Sequence, residues 1–425
     1  MAKIIPQITV FDYTEIEELG DLERFKLTLD GMDDEELMYR LENRRGHGRD
    51  DYPVRVMWNL LVAMKVFGHK TVASFRRELG RNSQLRNVCG LNDRFRRKGA
   101  LVPPARVFTN YMKLLSDEPE ALNKIFTKEV EELKELLPHF GENLAGDGKY
   151  LDSYSKHEKT DGCEDTDLRG EHDAEWSVKE YNYIGNDGKT HTKKESHFGF
   201  KAHIICDVQT GLPIDYRVTK ANADEKSEMI SLLESIPAWL EERGKSLALD
   251  RGYDSKKMIQ TIKGIGILPI VDIRNCWKDG ELTKQYKNTD MVYDYKGSVF
   301  FVENDGKKYK MIYEGYDNKK KCLRYSHKGK IYKIYISYDE RVFLPIARNS
   351  MKFARLYKGR TSVERLNGRI DRDFMFEDHS IRGLKKMRML LTLSFIVMNG
   401  MAVAKIKNGQ TKNLAAATKV STVAA

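Results

Sequence analysis

The sequence has few cysteines and lacks the motifs of several common protein classes. None of its 5 cysteines forms a Cys-x-x-Cys pair, which disfavours a disulfide framework and a structural zinc site and favours a reduced, intracellular protein. Neither a GxGxxG motif nor GxxxxGK followed by Ser or Thr occurs. A Rossmann-type nucleotide enzyme is therefore disfavoured.

Long apolar runs are also absent. The longest covers roughly residues 389–404 and ends before Lys405, so it is shorter than a helix needs to cross a bilayer. The first residues, with the segment IIPQITVFDY, are too short and too polar for a secretory signal. We therefore expect no membrane association and a buried helix in this C-terminal run.

Charge is plentiful and unevenly distributed. The 425-residue chain has a net charge of +10 and a pI of about 9.0. Residues 1–40 are strongly acidic, whereas residues 71–98 hold 8 Lys/Arg against 2 Asp/Glu, and residues 341–388 hold 13 against 5. Basic residues gathered into two stretches predict a surface for a polyanionic partner.

The order of predicted elements indicates an α/β fold. Helices come first, then strands alternating with helices, then tyrosine-rich strands, and finally helices again, which is typical of a mixed sheet with a β-rich insertion preceded by a helical domain. Five regions are predicted: a helical DNA-binding or assembly domain (1–140), the first part of an α/β core (141–275), a β-rich insertion (276–346), the last core helices (347–407) and a flexible tail (408–425).

The N-terminal region is predicted to be helical. A helix is expected over 53–68, and two shorter helices follow, broken near Gly80. This pair resembles a helix-turn-helix whose second helix would carry Arg81 and Arg86, although its apolar stripe also suits simple core packing. A further helical stretch is predicted over 104–137.

The central region alternates between strands and helices. The segment over 143–154 is predicted to be a strand that leads out to a loop. A long polar loop is predicted over 156–196, and a hairpin that turns at 208–211. A short buried strand ends at Asp250, and the next helix is capped by Ser255.

Three short segments carry candidate chemistry. Asp147 stands between two glycines at a strand edge, and Asp250 follows an apolar strand, where open α/β sheets bind ligands. Tyr357, Arg360 and Glu364 have helical spacing and share one face. Three carboxylates on such a platform suit Mg²⁺ or Mn²⁺ and leave positions open for a phosphate.

In order and context, Asp147, Asp250 and Glu364 resemble the catalytic carboxylates of insertion-sequence transposases with an RNase H-like DDE core. Tyr357, Arg360 and Glu364 are similar to the first three members of the YREK signature of that group. The resemblance covers about residues 50–405 and includes the long gap between the second and third carboxylates, in agreement with a β insertion.

One position departs from that signature. Asp371 stands where the fourth member, a lysine, is expected. Arg369 and Arg372 lie close by in sequence, and they are the candidates to supply the missing cation and contact DNA, together with Tyr357 and Arg360.

The resemblance implies a function. It implies two Mg²⁺ or Mn²⁺ ions held by the three carboxylates, binding to double-stranded terminal inverted repeats and target DNA, a homodimer, and strand cleavage followed by strand transfer. The expected location is the cytoplasm, in association with the bacterial nucleoid. The resemblance does not decide whether the excised end passes through a DNA hairpin. Trp277 is interpreted as a core residue rather than as one that stacks on a base.

Purely structural roles remain as alternatives for two of these residues. Arg360 could be an ordinary i,i+4 ion-pair partner of Glu364, and Tyr357 could be an aromatic residue of the core. The function alternatives are a metal-dependent nuclease without strand transfer and a non-catalytic DNA-binding protein. Four neighbouring aspartates compete for the site: Asp152, Asp207, Asp215 and Asp254.

Overall fold

The computed structural model describes residues 20–46, 51–91, 100–155, 171–184 and 189–416, with the main chain alone for 181–184. Its helices are α1 (Leu22–Asp30), α2 (Glu35–Arg45), α3 (Val54–Val66), α4 (Val72–Arg81), α5 (Ser83–Val88), α6 (Ala105–Ser116), α7 (Pro119–Leu136), α8 (Glu225–Leu233), α9 (Ala238–Arg243), α10 (Lys256–Gly264), α11 (Met351–Tyr357), α12 (Thr361–Arg372) and α13 (Leu384–Lys407).

The strands form three sheets. They are β1 (Asn143–Asp152), β2 (Glu175–Ile184), β3 (Thr190–Asp207), β4 (Pro213–Lys220), β5 (Ser246–Leu249), β6 (Leu268–Val271), β7 (Lys284–Gln285), β8 (Met291–Tyr293), β9 (Val299–Val302), β10 (Lys308–Lys310), β11 (Ile312–Asp317), β12 (Cys322–His327) and β13 (Lys330–Tyr335).

The predicted helical pair in the N-terminal region exists, but its break was predicted at the wrong residue. Helix α4 runs on to Arg81, and Asn82 begins α5 by accepting a hydrogen bond from the Leu85 N–H. Arg81 therefore belongs to the first helix and not to the second. The Arg86 guanidinium donates to carbonyl groups at the end of α4, so it caps a helix of its own domain.

The stretch predicted as one helix over 104–137 is two helices. Helix α6 ends at Ser116, and α7 begins at Pro119. Proline has no N–H to continue the preceding helix, but its fixed φ suits a first turn. The predicted helix over 53–68 is confirmed as α3, which follows Pro53.

The largest sheet is mixed and has 6 strands in the order β2-β3-β1-β5-β6, with β4 also paired to β3. Strands β1, β5 and β6 are parallel, while β3 runs antiparallel to β1, β2 and β4. Gly146 lets β5 and α8 come close to β1, since a Cβ there would lie 2.7 Å from a Leu249 methyl group and 3.2 Å from Met229. The predicted mixed α/β architecture is confirmed.

The prediction of a long polar loop over 156–196 is wrong for the part of this range that the structure describes. Strand β2 and the first half of β3 pair within this range, whereas 156–170 and 185–188 lie outside the described residues. The first residues of β3 are exposed. A strand without a buried face has no apolar–polar alternation, so sequence patterning misses it.

Three hydrophobic cores organise the described part of the chain, and the smallest joins β5, β6, α10 and α11 to Leu344 and Ile346. One contains side chains from the N-terminal helices, the large sheet, α12 and α13. The insertion builds its own core from the two smaller sheets, and Trp277 packs against it, with its ring centroid 5.9 Å from that of Tyr293. This placement agrees with the structural interpretation of Trp277.

Helix α13 is long and apolar enough to cross a membrane by composition, yet 94% of that apolar window is buried inside the protein. The predicted buried helix is therefore confirmed. The segment after it also packs, because Leu414 and Ala415 are buried and the Lys405 ammonium donates to the carbonyl groups of Asn413 and Ala416. The flexible tail predicted from 408 is thus ordered as far as 416, and 417–425 lie outside the described residues.

Candidate active site

The register of β1 and β5 places Asp147 beside Asp250. Ala145 lies opposite Ala248 in parallel pairing, and the two aspartates each come two residues later. Residues two apart on a strand share a face, and neighbouring strands are about 4.8 Å apart. Both carboxylates therefore stand on one face, with Asp147 in the middle of β1, just past its pairing with β5, and Asp250 directly after the end of β5. The Asp250 carboxylate also accepts a hydrogen bond of 2.6 Å from the Gly252 N–H.

Helix α12 carries Glu364 along β1. A buried stripe docks the helix onto the main core, and it consists of Ser362, Val363, Leu366 and Ile370. The Glu364 side chain is 48% exposed and accepts from Arg360 at 2.7 Å. The i,i+4 ion pair anticipated from spacing is present, so in this structure Glu364 is directed to Arg360.

Two side-chain contacts join α12 to β1, and sequence reasoning identified neither. The Asn367 amide donates to the Asp147 carboxylate at 3.2 Å. One turn further along the helix, Asp371 pairs with the Lys149 ammonium at 2.7 Å. A signal existed, because Glu364, Asn367 and Asp371 follow i, i+3, i+7 spacing and Asp147 and Lys149 follow strand spacing. What pairs with what, however, depended on how the helix lies on the strand.

Asp147 lies in a negative environment. Burial raises the pKa of its carboxyl group to about 6, with further raising contributions from the charges of Asp250 and Glu225. A hydrogen bond from the Gly148 N–H and the charge of Arg360 lower this pKa but do not cancel the effect. The arrangement leaves negative charge that a bound cation would offset.

Tyr357 lies next to the strand ends as well as in a small core. Its ring stacks on Phe353 with centroids 5.8 Å apart, and Arg360 lies 5.9 Å from the ring centroid. Burial raises the pKa of the Tyr357 hydroxyl, and the charges of Asp272 and Asp250 contribute in the same direction. Tyr357 is thus both a packed aromatic and a neighbour of the carboxylates.

Asp272 is a further carboxylate next to Asp250, on the neighbouring strand, and it was not among the predicted residues. Leu249 pairs with Val271, so Asp250 and Asp272 occupy the next position on their adjacent parallel strands. Two nitrogens of Arg251 donate to Asp272, at 2.9 and 2.7 Å. The signal was an aspartate that ends an apolar strand, as at Asp250.

The donor atoms suit a hard cation only in part. Asp147 and Asp250 offer adjacent carboxylate oxygens, the ligands that Mg²⁺ prefers. The pKa of Asp147 is raised by burial first and by neighbouring carboxylates second, and a bound cation would lower it. Glu364 is engaged by Arg360. Within the described part of the chain, no group of three or more His, Cys, Asp or Glu side chains is arranged to hold a metal ion. Glu364 would have to exchange Arg360 for the ion.

Arg369 and Arg372 do not share the face of α12 that meets β1. Arg369 lines a cavity of about 550 Å³ together with Arg365, Gln209 and Thr210, at the hairpin turn between β3 and β4. The Arg372 guanidinium donates to the Gly368 carbonyl of its own helix. Their proposed DNA contacts stay predictions, but neither is the cation beside Asp371.

Three of the competing aspartates have structural roles in the described contacts. Asp207 accepts from the Gly141 N–H and from the N–H and hydroxyl of Thr210. Asp254 is ion-paired with Arg341. Asp152 pairs with His197 and points to the opposite face of β1 from Asp147.

Comparison with known proteins decides the family. The family model for the transposase DDE domain matches residues 164–399, more than half of the chain. The chain belongs to the DDE transposase domain family. The matched range includes Asp250 and Glu364, whereas Asp147 lies before it. The predicted family assignment is confirmed.

The two individual relatives compared with this chain are distant in sequence. The "Putative transposase for insertion sequence element IS402" of Burkholderia cepacia is 32% identical over 79 residues, which is 17% of this chain and 37% of that protein. The chain thus matches little more than a third of that relative. A piggyBac transposase, solved as a synaptic complex with hairpin DNA, aligns over 92% of this chain and 76% of its own, with 12% identity and a TM-score of 0.37.

Replacing Asp147 by Asn is expected to stabilise the metal-free protein, and to do so more at higher pH. The pKa of this carboxyl group is about 6 in the folded protein and lower in the unfolded chain, so its ionisation destabilises the fold as pH rises through this window. The gain in unfolding free energy should therefore shrink by about 2 kcal/mol between pH 7.5 and 4.5. Urea unfolding of both proteins at the two pH values measures it, and equal gains would contradict the assigned environment.

Proposed function

We propose that this chain is a DNA transposase that binds the terminal inverted repeats of its element, cleaves DNA strands there and joins them to a target. The observation that carries the proposal is the parallel register of β1 and β5, which aligns Asp147 in β1 with Asp250 just after β5. Helix α12 brings Glu364 along the same strand and contacts Asp147 through Asn367. Membership of the DDE transposase domain family supports the same conclusion.

Asp147, Asp250 and Glu364 are proposed to hold the catalytic metal, two Mg²⁺ or Mn²⁺ ions. Such ions stabilise the charge that develops on a phosphodiester during displacement. Glu364 would leave Arg360 to join the two aspartates. Arg360 would then be free to donate to a DNA phosphate, since a guanidinium suits phosphate oxygens, with Tyr357 beneath it.

The finer description of the fold is proposed with the function. A mixed sheet with carboxylates on one face of adjacent parallel strands, and helices on both faces, supports an RNase H-like core. The basic residues of 71–98 support DNA binding by the N-terminal domain, although 92–99 lie outside the described residues. Contacts from Arg369 and Arg372, the homodimer, the target DNA and the cytoplasmic location stay predictions.

The test uses purified protein and a DNA fragment that carries the end of its own element. Incubation with Mg²⁺ is expected to nick the fragment at the element boundary, to leave a 3′-hydroxyl, and to join this end to a second DNA. Chelation of the metal should abolish both steps, and a fragment with a scrambled end sequence should remain intact.

Pre-cut ends separate cleavage from joining. Joining of pre-cut ends supports the transposase. Cleavage without joining, on paired ends and at several protein concentrations, would indicate a nuclease instead. Binding of the end with neither step would indicate a non-catalytic DNA-binding protein.

A further inference from the structure

The ion pair between Lys149 and Asp371 joins β1 to α12 next to the proposed metal ligands. On β1, Lys149 follows Asp147 by two residues and so shares its face. On α12, Asp371 follows Glu364 by seven residues and occupies the position where the resemblance leads one to expect a lysine. The expected positive charge is thus present at this location, but it is supplied by Lys149 of β1 and not by a residue of α12.

The spacing of helix and strand explains why the exchange is possible. Asn367 contacts Asp147, and Asp371 contacts Lys149, so α12 and β1 run in the same direction. Four helical residues advance about 6 Å and two strand residues about 6.6 Å. The two contacts therefore follow one another along the helix and the strand. A cation at position 149 of β1 or at position 371 of α12 would occupy nearly the same space.

The exposure of the pair suits a contact with a strand of DNA. The Lys149 side chain is 12% exposed and that of Asp371 is 28% exposed, so the pair is mostly buried but still reaches solvent. Lysine has three N–H donors, and its contact with Asp371 uses one of them.

Other cations near the site are directed elsewhere. Arg360 is paired with Glu364. Arg369 lines the cavity beside the β3–β4 turn, and Arg372 donates to its own helix. Lys149 is therefore the basic side chain that β1 itself carries on the face of Asp147, whereas Arg360 acts on Asp147 through its charge from the start of α12.

We propose that Lys149 is the DNA phosphate-binding residue that takes the place of the missing fourth signature member, with Asp371 as the residue that orients its ammonium group. The inference rests on the proposed transposase function. It places a phosphate of the cleaved DNA strand beside the ion pair of Lys149 and Asp371, next to the carboxylates. The bound group is the phosphate of a DNA backbone, so the contact carries no sequence preference.

Moving the cation tests this assignment. Lys149→Met is expected to lower the rate of cleavage on the order of 100-fold, as loss of one fixed donor to a reacting group does. Asp371→Lys in the Lys149→Met background restores a cation from the helix and should recover most of the activity. Asp371→Asn keeps the lysine and should lower the rate only a few-fold.

A purely structural ion pair gives a different pattern. If the pair only docks α12, then Lys149→Met and Asp371→Asn lose activity equally, because both break the same contact. In that case the apolar pair Lys149→Met with Asp371→Leu would also be as active as the unchanged protein. Either result would overturn the inference. Thermal unfolding of each variant shows whether the fold is retained, and Lys149→Gln replaces any variant that does not fold.

Binding to the DNA end provides a readout that does not depend on cleavage. Loss of one phosphate contact should weaken binding and reduce the slope of log Kd against log salt concentration by about one. An unchanged slope in Lys149→Met would contradict the phosphate contact. Unchanged protein that binds but does not cleave defeats the proposed function, whereas active protein with a fully active Lys149→Met variant defeats only this inference.

Discussion

Asp147→Asn and Asp250→Asn should each reduce cleavage of an element end by at least roughly 1,000-fold, since each removes a charged ligand of the proposed metal ions. Asparagine keeps the shape of both side chains. Its amide oxygen can still accept from Asn367 at position 147 and from the Gly252 N–H at position 250. The loss would therefore report charge and not misfolding. Rates of strand nicking at saturating Mg²⁺ measure it.

Asp152→Asn is the matched control for this experiment. Asp152 is on the same strand as Asp147 but faces the other side of the sheet, and its side chain is 66% exposed. Its replacement should leave cleavage within a few-fold of the unchanged protein. Should Asp147→Asn retain a tenth of the activity, Asp147 would not be a metal ligand and the assignment of the site to β1 would be wrong.

Asp254→Ala should reduce the free energy of unfolding by about 3–5 kcal/mol, the range expected when one member of a buried ion pair is removed. The Asp254 side chain is fully buried. Its carboxylate accepts from Arg341 Nε and Nη2, at 3.0 and 2.7 Å, and from the Arg274 N–H at 2.9 Å. Arg274 lies just before the β insertion and Arg341 lies near its C-terminal end, so Asp254 ties both ends of the insertion to the segment that follows β5. Urea unfolding followed by tryptophan fluorescence measures the change.

An exposed pair within the insertion is the control for that measurement. Asp305 lies 3.4 Å from Lys307, with side chains 46% and 74% exposed, and exposed pairs contribute little. Asp305→Ala should change the free energy of unfolding by less than about 1 kcal/mol. A loss of similar size in Asp254→Ala would mean that Arg341 finds solvent or another partner, and the insertion would then be held by its own core.

Patterns of neighbouring residues were enough for much of the fold. Apolar spacing and capping residues predicted α3, α10 and the β3–β4 hairpin, because each of these elements shows a buried face or a cap in its own sequence. Strands β2 and early β3 escaped prediction, because the first residues of β3 are polar and exposed and because Trp176 and Val178 of β2 are exposed rather than part of a buried face. The break at Asn82 was misplaced because a glycine is a weaker stop signal than a side chain that caps the next helix.

The sequence by itself determined the family, the mixed α/β architecture, and the local context of Asp147, Asp250 and Glu364. Tertiary structure decided which side chains meet. The register of β1 against β5 aligned the two aspartates, and the docking of α12 along β1 paired Asn367 with Asp147 and Lys149 with Asp371. Lys149 and Asp371 are 222 residues apart in sequence. Contacts at such a separation depend on the relative placement of whole elements, which short-range propensity and spacing do not encode.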